Sequence, residues 1–326
     1  MRAARMSLAA SPAHRLLAEV PIPRPEGPFG LLRVLGQALE YLDQPGAYAA
    51  LLTLSGHGLR TPPPCPALPE TAEVARETLA GLAALGWALA QVHRDPAGLD
   101  EPLVLAVVTT ETAAGRPVLL GGWLPAPETL ALAAGVTADG LICAHPAGAE
   151  PGAPYLAAAP VCRLAIVLGQ REASPGGTLP SLARQAHAVW AEDKPGNAGA
   201  YRVWRHLLAS AEEPPEGLPA ALGAALATVA EARAAVRDHL YVLAEDLETL
   251  PGRWVERSAE GYDRLLELLE PCLETCLSPE AELLWRQEEW REELVARLEA
   301  VAAQDAEAAH YLRRAPEAEY GPEEEQ

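Results

Sequence analysis

The chain has 326 residues, 49% of them hydrophobic, and a formal net charge of −20. That length can bury two cores, and that charge argues against DNA or RNA as a partner. An odd set of five cysteines without a CxxC pair, no leader with an apolar core and no run of about 18 apolar residues predict a cytoplasmic chain with reduced thiols and no membrane span.

Residues 1–16 read as an N-terminal arm, and the prolines of "PIPRPEGP" make an extended entry to the first helix. "FGLLRVLGQALEYL", residues 29–42, places Leu31, Leu35, Ala38 and Leu42 on one helical stripe with Leu32 and Leu39 beside it. The apolar "AYAALLTL" then runs into the glycine-flanked "SGHGLR" and on to "TPPPCP". "PETAEVARETLAGLAALG" has helical spacing, with Glu70 and Glu73 near its positive end. "WALAQVH" is short enough to be a strand, whereas "LDEPLVLAVVTTETAAGR" suits either element.

Four short apolar runs follow, "RPVLLGGWL", "TLALAAGV", "GLICAH" and "CRLAIVLG", with Asp139-Gly140 as a hairpin signal. They predict a mostly antiparallel sheet over roughly 117–169. From residue 178 the pattern is helical. The longest helix is expected from Pro219 to Leu247, and another from the Ser278-Pro279 start signal through Leu283, Trp290, Leu294, Leu298 and Val301. The fold class is therefore α+β: a domain over 17–172, a helical bundle over 178–305 and an acidic tail over 306–326.

Four stretches carry a resemblance: the helix after "RPEGP", the "LSGHGLR" loop followed by Cys-Pro, "GRPVLLGGWLPAPE" with its "ALAAGVTADGL" hairpin, and "GAYRVWRHLL". In these the chain resembles bacterial papain-like proteins, similar to the double-glycine leader peptidases and the N-terminal part of the butirosin-biosynthesis acyltransferase, with a helical C-terminal extension. The resemblance implies a central helix packed on an antiparallel sheet, a nucleophilic Cys near Gly27 to Phe29 and a His near Thr129 or Leu130. Neither is there: no Cys or Ser lies between Pro21 and Leu54, and no His between Arg94 and Ala144. An oxyanion hole without an activated nucleophile forms no acyl-enzyme. The expectation is thus a cytoplasmic pseudoenzyme that binds a peptide or small molecule in the remnant cleft, without cofactor or metal.

The rim groups expected for such a cleft are Ser55, His57, Arg60, Trp123 and Glu128. Ser55 and His57 lie too close in sequence for an ordinary nucleophile and base, so the preferred reading gives His57 a backbone hydrogen bond and Arg60 a carboxylate partner. Cys65, fixed between prolines with no helix N-terminus to stabilise a thiolate, is the weak candidate for a displaced nucleophile. Cys272 and Cys276, one helical turn apart, read as core thiols rather than zinc ligands. Likewise His187, His206 and His239, and Trp190, Trp204, Trp285 and Trp290, read as residues of the bundle. Two alternatives remain, an acyltransferase or cysteine peptidase with a displaced nucleophile and an interaction or scaffold protein acting through the bundle.

Overall fold

The computed structural model describes residues 16–22, 24, 29–61, 72–87, 90–95, 97–122, 130–137, 140–144, 155–158, 162–171, 178–190, 197–209, 217–247 and 250–316. Helix and sheet are mixed, as an α+β order requires. Contacts divide the chain into two units that interleave in sequence: Met1–Pro45 with Trp87–Arg171, and Gly46–Gly86 with Glu172–Gln326. The linear boundary drawn at residue 172 therefore misplaces residues 46–86. They pack with the C-terminal helices because Leu54 and Leu59 bury their side chains in that core.

Among the described residues the first unit is a six-stranded sheet with a helix on either face. Its strands, β1 (Gln91–Arg94), β2 (Val118–Gly121), β3 (Leu130–Thr137), β4 (Gly140–Ala144), β5 (Tyr155–Ala158) and β6 (Leu164–Val167), run in the order β1-β6-β2-β3-β4-β5. Every strand pairing among the described residues is antiparallel. Residues of β2 and β3 alternate between two faces. Val118, Leu120, Ala131 and Ala133 bury themselves with Val104 and Val108 of α4 (Glu101–Ala113). Leu119, Leu132 and Ala134 are buried on the opposite face, and α1 (Gly30–Tyr41) contacts the same two strands. The buried residues of α1 include Leu32, Val34, Leu35, Ala38 and Leu39, so Leu31 and Leu42 flank the packed face rather than centre it.

The ambiguous stretch after Asp100 is thus helix α4, for its length and Pro102 near its start outweigh its β-branched residues. β5 was not expected, since "YLAA" lacks both β-branched residues and a clear alternation.

The second unit contains α2 (Ala47–Leu54), α3 (Ala72–Ala84), α5 (Thr178–Trp190), α6 (Asn197–Ala209), α7 (Leu218–Glu245), α8 (Leu250–Leu277), α9 (Ala281–Leu284) and α10 (Glu288–Arg314). No strand falls after residue 177 among the described residues. α8 packs on both α7 and α10. Two boundaries differ from expectation. Ser278-Pro279 starts only the four-residue α9, and the long helix restarts at Glu288. The supposed tail from 306 continues α10 through Arg314, because Ala308, Ala309 and Leu312 extend its buried face. Among the described residues, no helix is long and apolar enough to cross a membrane.

Candidate functional site

The "SGHGLR" loop lies wholly in the helical unit. Ser55 ends α2 with its N–H donating to the Leu51 carbonyl at 2.9 Å and its hydroxyl to the Leu52 carbonyl at 3.2 Å. Gly56 reverses the chain at φ 81, a left-handed conformation that disfavours a Cβ. A 3-10 turn, His57–Leu59, follows and seats Gly58 so close to α7 that a Cβ would lie 2.6 Å from Val236 Cγ2.

Arg60 forks Glu77, with Nη1 at 3.1 Å from Oε2 and Nη2 bonded to Oε1. His57 Nε2 stands 3.4 Å from the same carboxylate but forms no hydrogen bond. A carboxylate at that distance would by itself raise the imidazole pKa. Arg60 already engages both of its oxygens, however, so burial and then the Arg60 charge prevail and lower His57 to about 4. No hydrogen bond joins Ser55 to His57 among the described residues.

What anchors the loop is a buried polar cluster. Arg233 of α7 is fully buried, as is Asp305 of α10, and they pair through Nε to Oδ1 at 2.9 Å and Nη2 to Oδ2 at 2.7 Å. The guanidinium also donates to the Gly58 carbonyl, to the Arg60 carbonyl at 3.3 Å and to Thr61 Oγ1 at 3.2 Å. The Tyr201 hydroxyl donates to Asp305 at 3.1 Å. Asn197 accepts from the Thr61 N–H at 2.8 Å and donates to the Leu59 carbonyl at 2.7 Å. Burial disfavours the Arg233 charge, but Asp305 overcomes this and the net shift is upward.

A signal for this cluster was in the sequence. Arg233 interrupts the apolar series Leu226, Val229, Val236, Leu240, and Asp305 interrupts Leu298, Val301, Ala308, Leu312. Opposite charges at core positions of two helices call for each other.

Cys65, Trp123 and Glu128 lie outside the described residues. Burial raises Cys143 and Cys276 to about 12 and Cys162 and Cys272 to about 11, so these four are protonated, unreactive thiols. His187 and His206 are exposed. His239 is held neutral by burial, its pKa lowered to about 4. Trp204 and Trp285 are core, with Trp190 and Trp290 packed against it. Among the described residues no three His, Cys, Asp or Glu side chains could hold a metal ion.

The sheet unit holds a cavity of about 360 Å³ beside edge strand β1, within the size range of small-ligand pockets. Gln91 and His93 share one face of β1, and Thr110, Glu111, Arg116 and Gln170 complete its polar lining. α4 ends in a Schellman turn, with Gly115 at φ 83 and the Arg116 N–H donating to the Glu111 carbonyl at 2.9 Å. That turn folds Arg116 back so that Nε donates to Glu111 Oε2 at 2.7 Å. Neither Nη group hydrogen-bonds another described residue. An ion pair is therefore held by one nitrogen of an arginine that lines the cavity.

No family model and no curated protein matches the chain.

Proposed function

We propose that the protein is a catalytically silent binding protein that holds a carboxylate, from a small acid or a peptide end, on the Arg116 fork in the cavity beside β1. The observation that carries this is Arg116, which lines the cavity with Gln91, His93 and Thr110 and whose Nη groups have no hydrogen bond among the described residues. Glu111 neutralises the local charge and fixes the guanidinium plane, so paired hydrogen bonds rather than net charge select a planar anion. Papain-like kinship belongs to the same proposal. α1 rests on β2 and β3 as a nucleophile-bearing helix would, but Phe29 and Gly30 stand at its start and Leu130 begins β3. A cytoplasmic location agrees with the four free, buried cysteines among the described residues.

Thermal melts of the full chain with short mono- and dicarboxylic acids, amino acids and dipeptides test the reading. At least one acid should raise the Tm saturably, and Arg116→Lys, which keeps a cation for Glu111 but removes the fork, should abolish the shift. A shift that survives Arg116→Lys and Gln91→Ala, or no shift with any acid, overturns it. Thiol-sensitive peptide or thioester hydrolysis abolished by Cys65→Ala would favour the displaced-nucleophile enzyme instead.

A further inference from the structure

α8 carries more apolar surface than its own core uses. Val255, Tyr262, Leu265, Leu269, Cys272 and Cys276 fill the interior of the helical unit. Beside that stripe, Leu266, Leu273 and Leu277 line an open groove of about 780 Å³. Leu277 is 58% exposed, although an apolar side chain of that size gains by burial.

Four carboxylates and one cation, Arg237, line the groove. Asp263, Glu267, Glu270 and Glu274 recur at spacings of four, three and four, a single helical edge beside the leucines. Arg237 of α7 engages Asp263 at 3.1 Å, and the Tyr241 hydroxyl donates to the same carboxylate. Glu267, Glu270 and Glu274 have no ion pair among the described residues. Like charges one turn apart repel, so three carboxylates without an ion pair among the described residues, beside the exposed Leu277 and the half-buried Leu266 and Leu273, cost stability in the free protein.

We propose that this groove docks a basic amphipathic helix of another protein, its apolar face on Leu266, Leu273 and Leu277 and its Lys or Arg side chains against the three glutamates. The seam from Asp263 to Leu277 is about 21 Å long, roughly four helical turns. Leucines seven residues apart, flanked by a charged edge, are the surface a heptad-patterned partner complements. A second copy of this chain fits poorly, since pairing the groove with itself would oppose glutamate to glutamate on a chain of net charge −20.

The test is fluorescence anisotropy with the full chain and a labelled 21-residue peptide carrying Leu at heptad positions a and d and Lys at e and g. A peptide of the same composition in scrambled order and one with Glu replacing Lys serve as controls. The designed peptide should bind at least tenfold more tightly than either control. Glu267→Gln, Glu270→Gln and Glu274→Gln together should weaken binding at least tenfold and flatten its salt dependence, and Leu277→Ser, at an exposed position, should weaken it further. Arg116→Lys should change nothing, which keeps this result separate from that of the cavity. Equal binding of the scrambled peptide, or indifference to the Leu277 and glutamate variants, would overturn the proposal. Concentration-dependent dimerisation abolished by Leu277→Ser would also overturn it, in favour of a second copy.

Discussion

His57 is neutral at pH 7 because burial withholds water from its imidazole and Arg60 adds a like charge beside it. The same burial acts alone on His239. In the unfolded chain each would take up a proton below about pH 6.5, whereas in the fold each does so only near pH 4. Between those values the unfolded state binds more protons, so stability is full above pH 6.5 and falls as the pH falls, by about 1.4 kcal/mol per unit for each histidine. Urea melts between pH 6.5 and 5 should show this slope, and His57→Gln should remove about half of it. An unchanged slope would mean that the imidazole is solvated in the native protein. The sequence supplied the loop and the Arg60–carboxylate pairing, because glycines on both sides of a histidine demand a turn. It could not supply Glu77 as the partner, since their meeting depends on how α3 packs.

At the scale of elements, Arg233 and Asp305 tie α7 to α10 and, through carbonyls, to the loop after α2. Asp305→Ala should cost about 3–5 kcal/mol in chemical denaturation, for it strands a fully buried guanidinium. Replacing both partners, Arg233→Met with Asp305→Leu, should restore part of that loss. A double variant as unstable as Asp305→Ala would show that the loop carbonyls, not the lost pairing, set the cost. Most helices were legible because their apolar residues recur at three and four. α8 was not singled out, as Pro251 and Pro271 interrupt the expected pattern and its charged residues are dense. Pro251 sits in its first turn, where a missing N–H costs nothing, and the helix continues through Pro271. The cavity beside β1 was hidden for another reason: Gln91, Thr110 with Arg116, and Gln170 belong to three separate stretches that only the β1–β6 pairing and the turn after α4 bring together.

For the whole molecule, the interleaved order of the units escaped a linear reading. Composition changes near residue 172, but which core a short helix joins is decided by packing. Since Leu54 and Leu59 belong to the helical core, a chain of residues 172–326 alone should bind a hydrophobic dye and melt without a cooperative transition. A sharp melt matching that of the full chain would show that residues 46–86 are dispensable to it. The interleaving also has a consequence during translation. The ribosome releases Leu51, Leu52, Leu54 and Leu59 long before Arg233, and Asp305 later still. At about 5–20 residues per second these leucines wait roughly 10–30 s for α7. A nascent chain so exposed is open to aggregation for that interval, and slowing synthesis would lengthen its period of risk rather than help it fold.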